Sequence, residues 1–389
     1  MSSKSLLENI FYKALKNIQA NTIIQKNISL DKKYLYIANN PIKRNSFKKL
    51  YVFSVGKAAY AMAKEAENIL QENIAGGLVV SLEDKKLSYV KTCQSSHPKV
   101  SKKSLQCADA LLAEIKKVKK DDLFLFFLSG GASAMIEKPM ASLTFEEFQK
   151  ISDALLISGV DIKALNSVRK SISLIKGGKL AKDFKAKGFV LVLSDVIGDD
   201  LNTIGSALMQ NEKFPHYVIG NNSIALEGAK KYIQSYVQKV KILTTTLDTT
   251  SKQAAHYTCK EIKKYDAKYE SFCLLIGGET TLKVKGKGKG GRNSELALRL
   301  TECKSINKDI AILCAGSDGM DGNSDIAGAF VNVKTLQKIE QKKLDPKKYL
   351  LENDSATFFK KLGCEFQPGL TGTNVMDFVF ILKLPQNKE

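Results

Sequence analysis

The chain has 389 residues, 44% of them hydrophobic, which is enough to fill two cores rather than one. A formal charge of +20 raises the question of a nucleic-acid partner, yet only four of the 60 basic residues are arginine (Arg44, Arg169, Arg292, Arg299) and the lysines form no stripe with interleaved aromatics, so that class is set aside. The longest undiluted apolar run, residues 123–128, falls far short of the roughly 20 residues that span a bilayer, so no membrane partner is expected either.

In chain order, Leu6, Leu7, Ile10, Phe11, Ala14, Leu15 and Ile18 recur at helical spacing among polar residues, which predicts an amphipathic helix and not a signal peptide. Short apolar runs then alternate with longer amphipathic ones. Strands are predicted at residues 50–55, 77–80, 123–128, 189–193, 217–219, 240–243, 272–276, 310–314 and 375–382. Helices are predicted at 57–71, 101–117, 144–157, 161–184, 223–235 and 293–301. That alternation argues for an α/β fold in two domains with mostly parallel sheets. The Thr/Asp/Ser stretch at 244–251 is the expected divide, giving domains 1–245 and 246–389. Seven scattered cysteines without a C-x-x-C pair indicate neither a disulfide frame nor a zinc site, which fits a reducing cytoplasm.

Several predicted strands end in a polar or glycine-rich turn that opens a helix, the place where open α/β sheets bind ligands. In Ser54-Val55-Gly56-Lys57-Ala58-Ala59 a glycine permits a tight turn and Lys57 enters the first helical turn, aimed at an anion over the helix N-terminus. It is not a Walker loop, because Tyr51 stands where the first glycine belongs and Ala58 replaces the Mg²⁺-holding Ser/Thr. Leu128-Ser129-Gly130-Gly131-Ala132-Ser133 offers a glycine pair for wrapping a phosphate or carboxylate, with hydroxyls from Ser129 and Ser133. It lacks the G-x-S-x-G of a hydrolase elbow; a ligand-free tight turn explains the segment too. In 166–179, Arg169, Ser173 and Lys176 share one or two helical faces, and an arginine in a lysine-rich chain suggests bidentate anion binding or a helix salt bridge.

The strand at 189–193 runs into Asp195, Asp199 and Asp200. Asp195, nearest the strand, suits Mg²⁺ or the proton of a substrate hydroxyl, with Asp199 as a second metal ligand, while Asp199 or Asp200 could instead cap the next helix. Gly286, Gly288 and Gly291 formally satisfy G-x-G-x-x-G, but the preceding run alternates with lysine, unlike a strand buried on both faces, so a dinucleotide site is rejected. The remaining loop, ending Gly290-Gly291-Arg292-Asn293, is a plausible polyphosphate cradle with Arg292 placed to stabilise a transferring phosphoryl group. Turns containing Glu279, Asp318, Thr373 and Asn374 offer further polar groups after or before strands; turn architecture accounts for the last two equally well.

Taken together, the segments 55–59, 96–98, 128–134, 166–170, 176–180, 193–200, 277–281, 290–293, 315–322 and 371–377 resemble, in order, the glycerate 2-kinase family. The resemblance implies a Rossmann-like N-terminal domain, a C-terminal MOFRL domain and an active site in a cleft between them. It implies ATP, Mg²⁺ and the small-molecule substrate D-glycerate, with 2-phosphoglycerate as product and Lys57 and Arg292 as catalytic residues. The assignment of Asp195 as a third catalytic group rests on its place beside the strand. Substrate or phosphate contacts are expected at Gly56, Ser129, Gly130, Gly131, Ser133, Arg169, Lys176, Glu279, Gly290, Gly291, Asn293, Asp318, Thr373 and Asn374. A monomer and a homodimer both remain open. Two segments depart from the family pattern, Ser206-Ala207-Leu208 and Pro368-Gly369-Leu370, and bear on substrate choice more than on reaction class. The competing readings are an NAD(P)H-dependent hydroxypyruvate reductase and a non-catalytic anion- or nucleotide-binding protein.

Overall fold

The computed structural model describes residues 2–157, 162–307 and 309–385. The chain forms two compact units, one of Gln19–Gly220 and the other of Met1–Ile18 with Asn221–Glu389.

The first unit opens with an antiparallel meander of β1 (Ile28–Leu30), β2 (Tyr34–Ile37) and β3 (Asn40–Lys43). Ile37 pairs with Asn40 across a two-residue turn in which Ala38 and Asn39 both have positive φ, the arrangement that matches strand twist in tight hairpins. A six-stranded sheet follows, built from β4 (Leu50–Val55), β5 (Ile74–Ser81), β6 (Lys91–Gln94), β7 (Leu123–Ser129), β8 (Lys187–Leu193) and β9 (His216–Gly220). Its order is β6-β5-β4-β7-β8-β9 and every neighbouring pair is parallel, the doubly wound order of Rossmann-like folds. Central strands β4 and β7 are buried at every position, which is why they read as unbroken apolar runs. Between β4 and β7 the chain reverses its direction of winding across the sheet. The strand ends at that switch point are where such sheets take ligands.

One face of this sheet holds an aromatic cluster. Phe184 stacks on Phe124 at 4.0 Å between centroids and meets Phe53 and Phe214 edge-on at 5.3 and 6.3 Å.

The second unit contains β10 (Lys239–Thr250), β11 (Phe272–Thr281), β12 (Ile310–Gly316), β13 (Gly328–Asn332), β14 (Glu365–Phe366) and β15 (Asp377–Lys383), ordered β10-β11-β15-β12-β13-β14. Only β10 and β11 run parallel; the other neighbours are antiparallel. The expectation of mostly parallel sheets thus holds for the first unit and is corrected for the second. Here β15 inserts between β11 and β12 against their direction, a pairing between segments about a hundred residues apart that no local pattern announces.

Other expectations change as well. The divide expected at residue 245 falls inside β10, and the Thr-rich stretch taken for a linker is an edge strand whose residues pair with β11 up to Thr250–Thr281. The opening helix, Ser3–Lys16, sits with the second unit, where Asn17 Nδ2 donates to the Ile224 carbonyl at 2.6 Å. The helix expected over 161–184 is broken: Ile162–Ser171 is helical, Ser173 bridges to Pro139, Gly177 and Gly178 take positive φ, and a short helix resumes at Lys179–Lys182. The expected start of that helix at residue 161 lies outside the described residues. The helix Ser251–Asp266 was not anticipated, although its Thr250/Gln253 capping box is legible in the sequence. Cysteine placement also differs: Cys93 lies beside Cys107 and Cys259 beside Cys303, their Cα atoms 5.7 and 5.9 Å apart, because strand and helix bring together residues that spacing keeps distant. Among the described residues, no helix is long and apolar enough to cross a membrane.

Replacing Phe184 with alanine removes the ring shared by four aromatic partners, Phe53, Phe124, Phe126 and Phe214, and should cost about 3–5 kcal/mol of stability, read as a lower urea midpoint at unchanged slope. A loss below about 1 kcal/mol would show that this cluster does not carry the core.

Candidate active site

At the switch point the turns after β4 and β7 are locked into each other. Gly56 leaves β4 with φ +130°, a conformation that side chains disfavour, and a Cβ there would collide with Ser129. The Ala58 N–H donates to Ser129 Oγ at 3.1 Å and the Lys57 N–H to the Gly130 carbonyl at 2.9 Å. Ser129 is 2% exposed and its hydroxyl is engaged in this lock. Gly56 and Gly130 likewise act by admitting neighbours: a Cβ on Gly130 would collide with the Asp195 carboxylate, which lies against it at the end of β8.

Lys57 stands in the turn two residues before the helix Ala59–Leu70, not within its first turn, because the turn must first cross to Gly130. Its side chain is exposed and runs over Gly131: a Cβ on Gly131 would lie 3.0 Å from Lys57 Cγ and 3.1 Å from His97 Cδ2. His97 has its pKa lowered by burial and by the Lys57 charge, so its imidazole is neutral at pH 7. A cavity of about 260 Å³ opens beside these groups, lined among others by His97, Gly131, Ser133, Arg169 and Lys176.

Lys176 is 1% exposed and ion-paired to Glu137 Oε2. Glu137 is fully buried, and its Oε1 accepts from Ser173 Oγ at 2.5 Å and from the Lys138 N–H at 2.9 Å. Burial pushes the Lys176 pKa down while Glu137 opposes it. Lys176 is therefore part of a compensated internal pair, and Glu137, which no motif singled out, is its anchor. Burial also lowers the Arg169 pKa, with Glu137 acting the other way. Ser133 Oγ lies 2.7 Å from Ser206 Oγ, so one of the departing segments, 206–208, reaches this cavity wall. Asp200 caps the following turn through Asn202 N and Thr203 Oγ1, the role foreseen for one member of the acidic cluster. Asp199 sits beside it with φ +56°. Among the described residues no three His, Cys, Asp or Glu side chains gather as a metal cluster.

In the second unit Arg292 opens the helix Arg292–Leu300 and forks onto Asp377 through Nε and Nη2, while Nη1 pairs with Glu279. Burial alone would lower its pKa; the Asp377 and Glu279 carboxylates outweigh that and hold the guanidinium above its ordinary value. Asp377 is itself raised by burial, with Arg292 opposing. The bidentate geometry anticipated for Arg292 is thus realised toward protein carboxylates.

The glycine loop before it is not an open cradle. Asn353 Oδ1 accepts from the Lys285 and Gly286 amides, Asp354 from Lys289, Asn323 from Gly290 and Ser294 Oγ from Gly291. At the helix N-terminus, Asp321 takes the amides of Asn293 and Ser294 at 2.9 and 2.8 Å, filling the anion position from within the protein. Burial pushes the Asp321 pKa up to about 6 against these hydrogen bonds. Asn293 is 2% exposed, its amide group bound to Asp377 and Asp321. Asp318 accepts from Met320 N, and Asn374 from Met376 N and Ser317 Oγ. Thr373 is buried, and its Oγ1 has no hydrogen-bond partner among the described residues.

A parallel sheet of doubly wound order, with glycine turns at its switch point, defines an α/β protein of the Rossmann-like class. Comparison with known proteins narrows this. Residues 6–216 match the model of the Domain of unknown function (DUF4147), and residues 272–377 that of the MOFRL family. D-glycerate 2-kinase of Thermotoga maritima is 33% identical over 374 residues, covering 85% of this chain and 90% of the relative. Glycerate 2-kinase of Pyrococcus horikoshii is 33% identical over 386 residues, covering 86% and 87%. The crystal structure of glycerate kinase from Thermotoga maritima matches with a TM-score of 0.87 at 29% identity, covering 98% of this chain and 99% of that one. The chain belongs to the glycerate 2-kinase family.

Exchanging Glu137 for glutamine strands the Lys176 ammonium in the interior and should destabilise the protein by about 3–5 kcal/mol in urea unfolding. The double change Glu137→Met with Lys176→Met removes both charges and should recover most of that loss; equal destabilisation by single and double variants would show that the pair is not the source.

Proposed function

We propose that this chain is a kinase transferring the γ-phosphoryl group of ATP to the 2-hydroxyl of D-glycerate, giving 2-phosphoglycerate and ADP in the cytoplasm. The observation that carries the reading is the switch-point arrangement of Lys57 over Gly131 and Asp195 against Gly130, in a chain similar along most of its length to proteins named for that activity. The relatives' names favour phosphoryl transfer over hydroxypyruvate reduction, and the glycine loop that formally matched a dinucleotide fingerprint spends its amides on Asn353, Asp354 and Asn323.

The chemistry follows from the side chains. The exposed Lys57 ammonium supplies a point charge to phosphoryl oxygens, whose charge is spread during transfer. Asp195 is a carboxylate placed to accept the proton of the attacking hydroxyl or to hold a metal with Asp199. Hard oxygen donors of this kind fit Mg²⁺, which asks a protein for one or two carboxylates beside nucleotide phosphates. When bound, Mg²⁺ would neutralise charge on the phosphate oxygens. Arg292 keeps its catalytic role in this proposal: a guanidinium has five N–H donors, and with Asp377 and Glu279 engaged it retains further N–H groups and 36% side-chain exposure.

A coupled assay with ATP, Mg²⁺ and D-glycerate, product being followed through enolase, tests the reaction, since only the 2-phosphate passes directly. Lys57→Ala should lower kcat at least about 10²-fold with stability within about 0.5 kcal/mol of wild type. Near-normal turnover would remove Lys57 from the chemistry. Arg292→Lys keeps the charge but loses the fork onto Asp377, and should also lose turnover severely. A fall mainly in kcat marks a contact with the transferring group, whereas normal kcat and KM would reduce Arg292 to a structural clamp.

A further inference from the structure

The 260 Å³ cavity in the first unit is smaller than the roughly 300–1,000 Å³ of sites for drug-sized ligands, so it suits a small acid better than a whole nucleotide. Its charge can be counted. Among the described residues, four side chains in its lining carry formal charge at neutral pH: Lys99, Asp153, Arg169 and Lys176. Lys99 and Asp153 pair with each other at 3.2 Å. Lys176 is cancelled by the buried Glu137 behind the wall. Arg169 is left, half-buried and without an ion-pair or hydrogen-bond partner among the described residues. His97 adds no charge, being neutral at pH 7.

Resting on the kinase reading above, we infer that this cavity is the hydroxy-acid subsite, and that Arg169 binds the single carboxylate of the acceptor through its planar N–H fork. A guanidinium with no ion-pair or hydrogen-bond partner among the described residues, in a small, partly desolvated pocket, favours an anion, and its geometry matches carboxylate. The wall formed by Gly131 and Ser133 continues into the turn over which Lys57 runs, so a three-carbon acid held by its carboxylate extends its hydroxyls toward the lysine. Glu137 acts at one remove, as a positioning residue that keeps Lys176 from competing for the anion.

The test uses the full chain with ATP and Mg²⁺, comparing D-glycerate with D-glyceramide, which has nearly the same shape without the charge. Wild type should prefer the acid in kcat/KM by at least about 50-fold. Arg169→Gln should raise the glycerate KM by about 50-fold or more, leave the ATP KM within about threefold, and collapse the preference for acid over amide to below about fivefold. Arg169→Lys should fall between; it also serves as the readout if thermal unfolding shows that the glutamine variant does not fold. A retained preference for the acid, or a rise confined to the ATP KM, overturns the inference while leaving the kinase reading intact. If wild type does not phosphorylate glycerate, the kinase reading fails separately. Calorimetry with glycolate and lactate then decides the subsite: binding lost in Arg169→Gln supports it, and no binding to wild type overturns it.

Discussion

The first unit depends on one close approach: the turn after β4 lies directly on the turn after β7. Gly56 has no Cβ to keep it from Ser129, Ser129 Oγ receives the Ala58 amide, and the Gly130 carbonyl receives the Lys57 amide. Gly130 in turn leaves room for Asp195 from the end of β8. Three strand ends are thereby held in register at the one place where a doubly wound sheet presents its carboxyl edge to a ligand. Lys57 and Asp195 owe their positions to glycines whose missing side chains admit these neighbours.

Charge compensation is the second theme. Burying an ion without a partner costs several kcal/mol, so cations in the interior are anchored by carboxylates. Lys176 has Glu137; Arg292 has Asp377 and Glu279. Asp321 shows the converse, a carboxylate that fills a helix N-terminus and satisfies the amides of Asn293 and Ser294. In both units the groups that read as ligand contacts divide into those that build the site and those left with something to offer. Ser129, Lys176 and Asn293 fall in the first group, whereas Lys57, Ser133 and Arg169 face open space.

Much of the first unit was legible because β4 and β7 are buried on both faces and so spell unbroken apolar runs, each followed by a glycine turn. The second sheet was less so. Its strand β13 pairs antiparallel with β12 through Gly328, Ala329 and neighbours that lack a strong strand signature, and β10 is an edge strand whose threonines resemble a linker. The helix at 161–184 was over-extended since periodicity persists through Ser173, where a bridge to Pro139 ends it.

By itself the sequence determined the alternation of strands and helices, the glycine turns, the residue types at the strand ends and the family to which they belong, because these follow from local periodicity and from motif order. Tertiary structure alone decided which charges cancel. Glu137 meets Lys176 across 39 residues and Asp377 meets Arg292 across 85, separations over which no spacing rule operates. A cation's availability to a ligand depends on what lies within a few ångströms of it, and that neighbourhood exists only once the chain has folded.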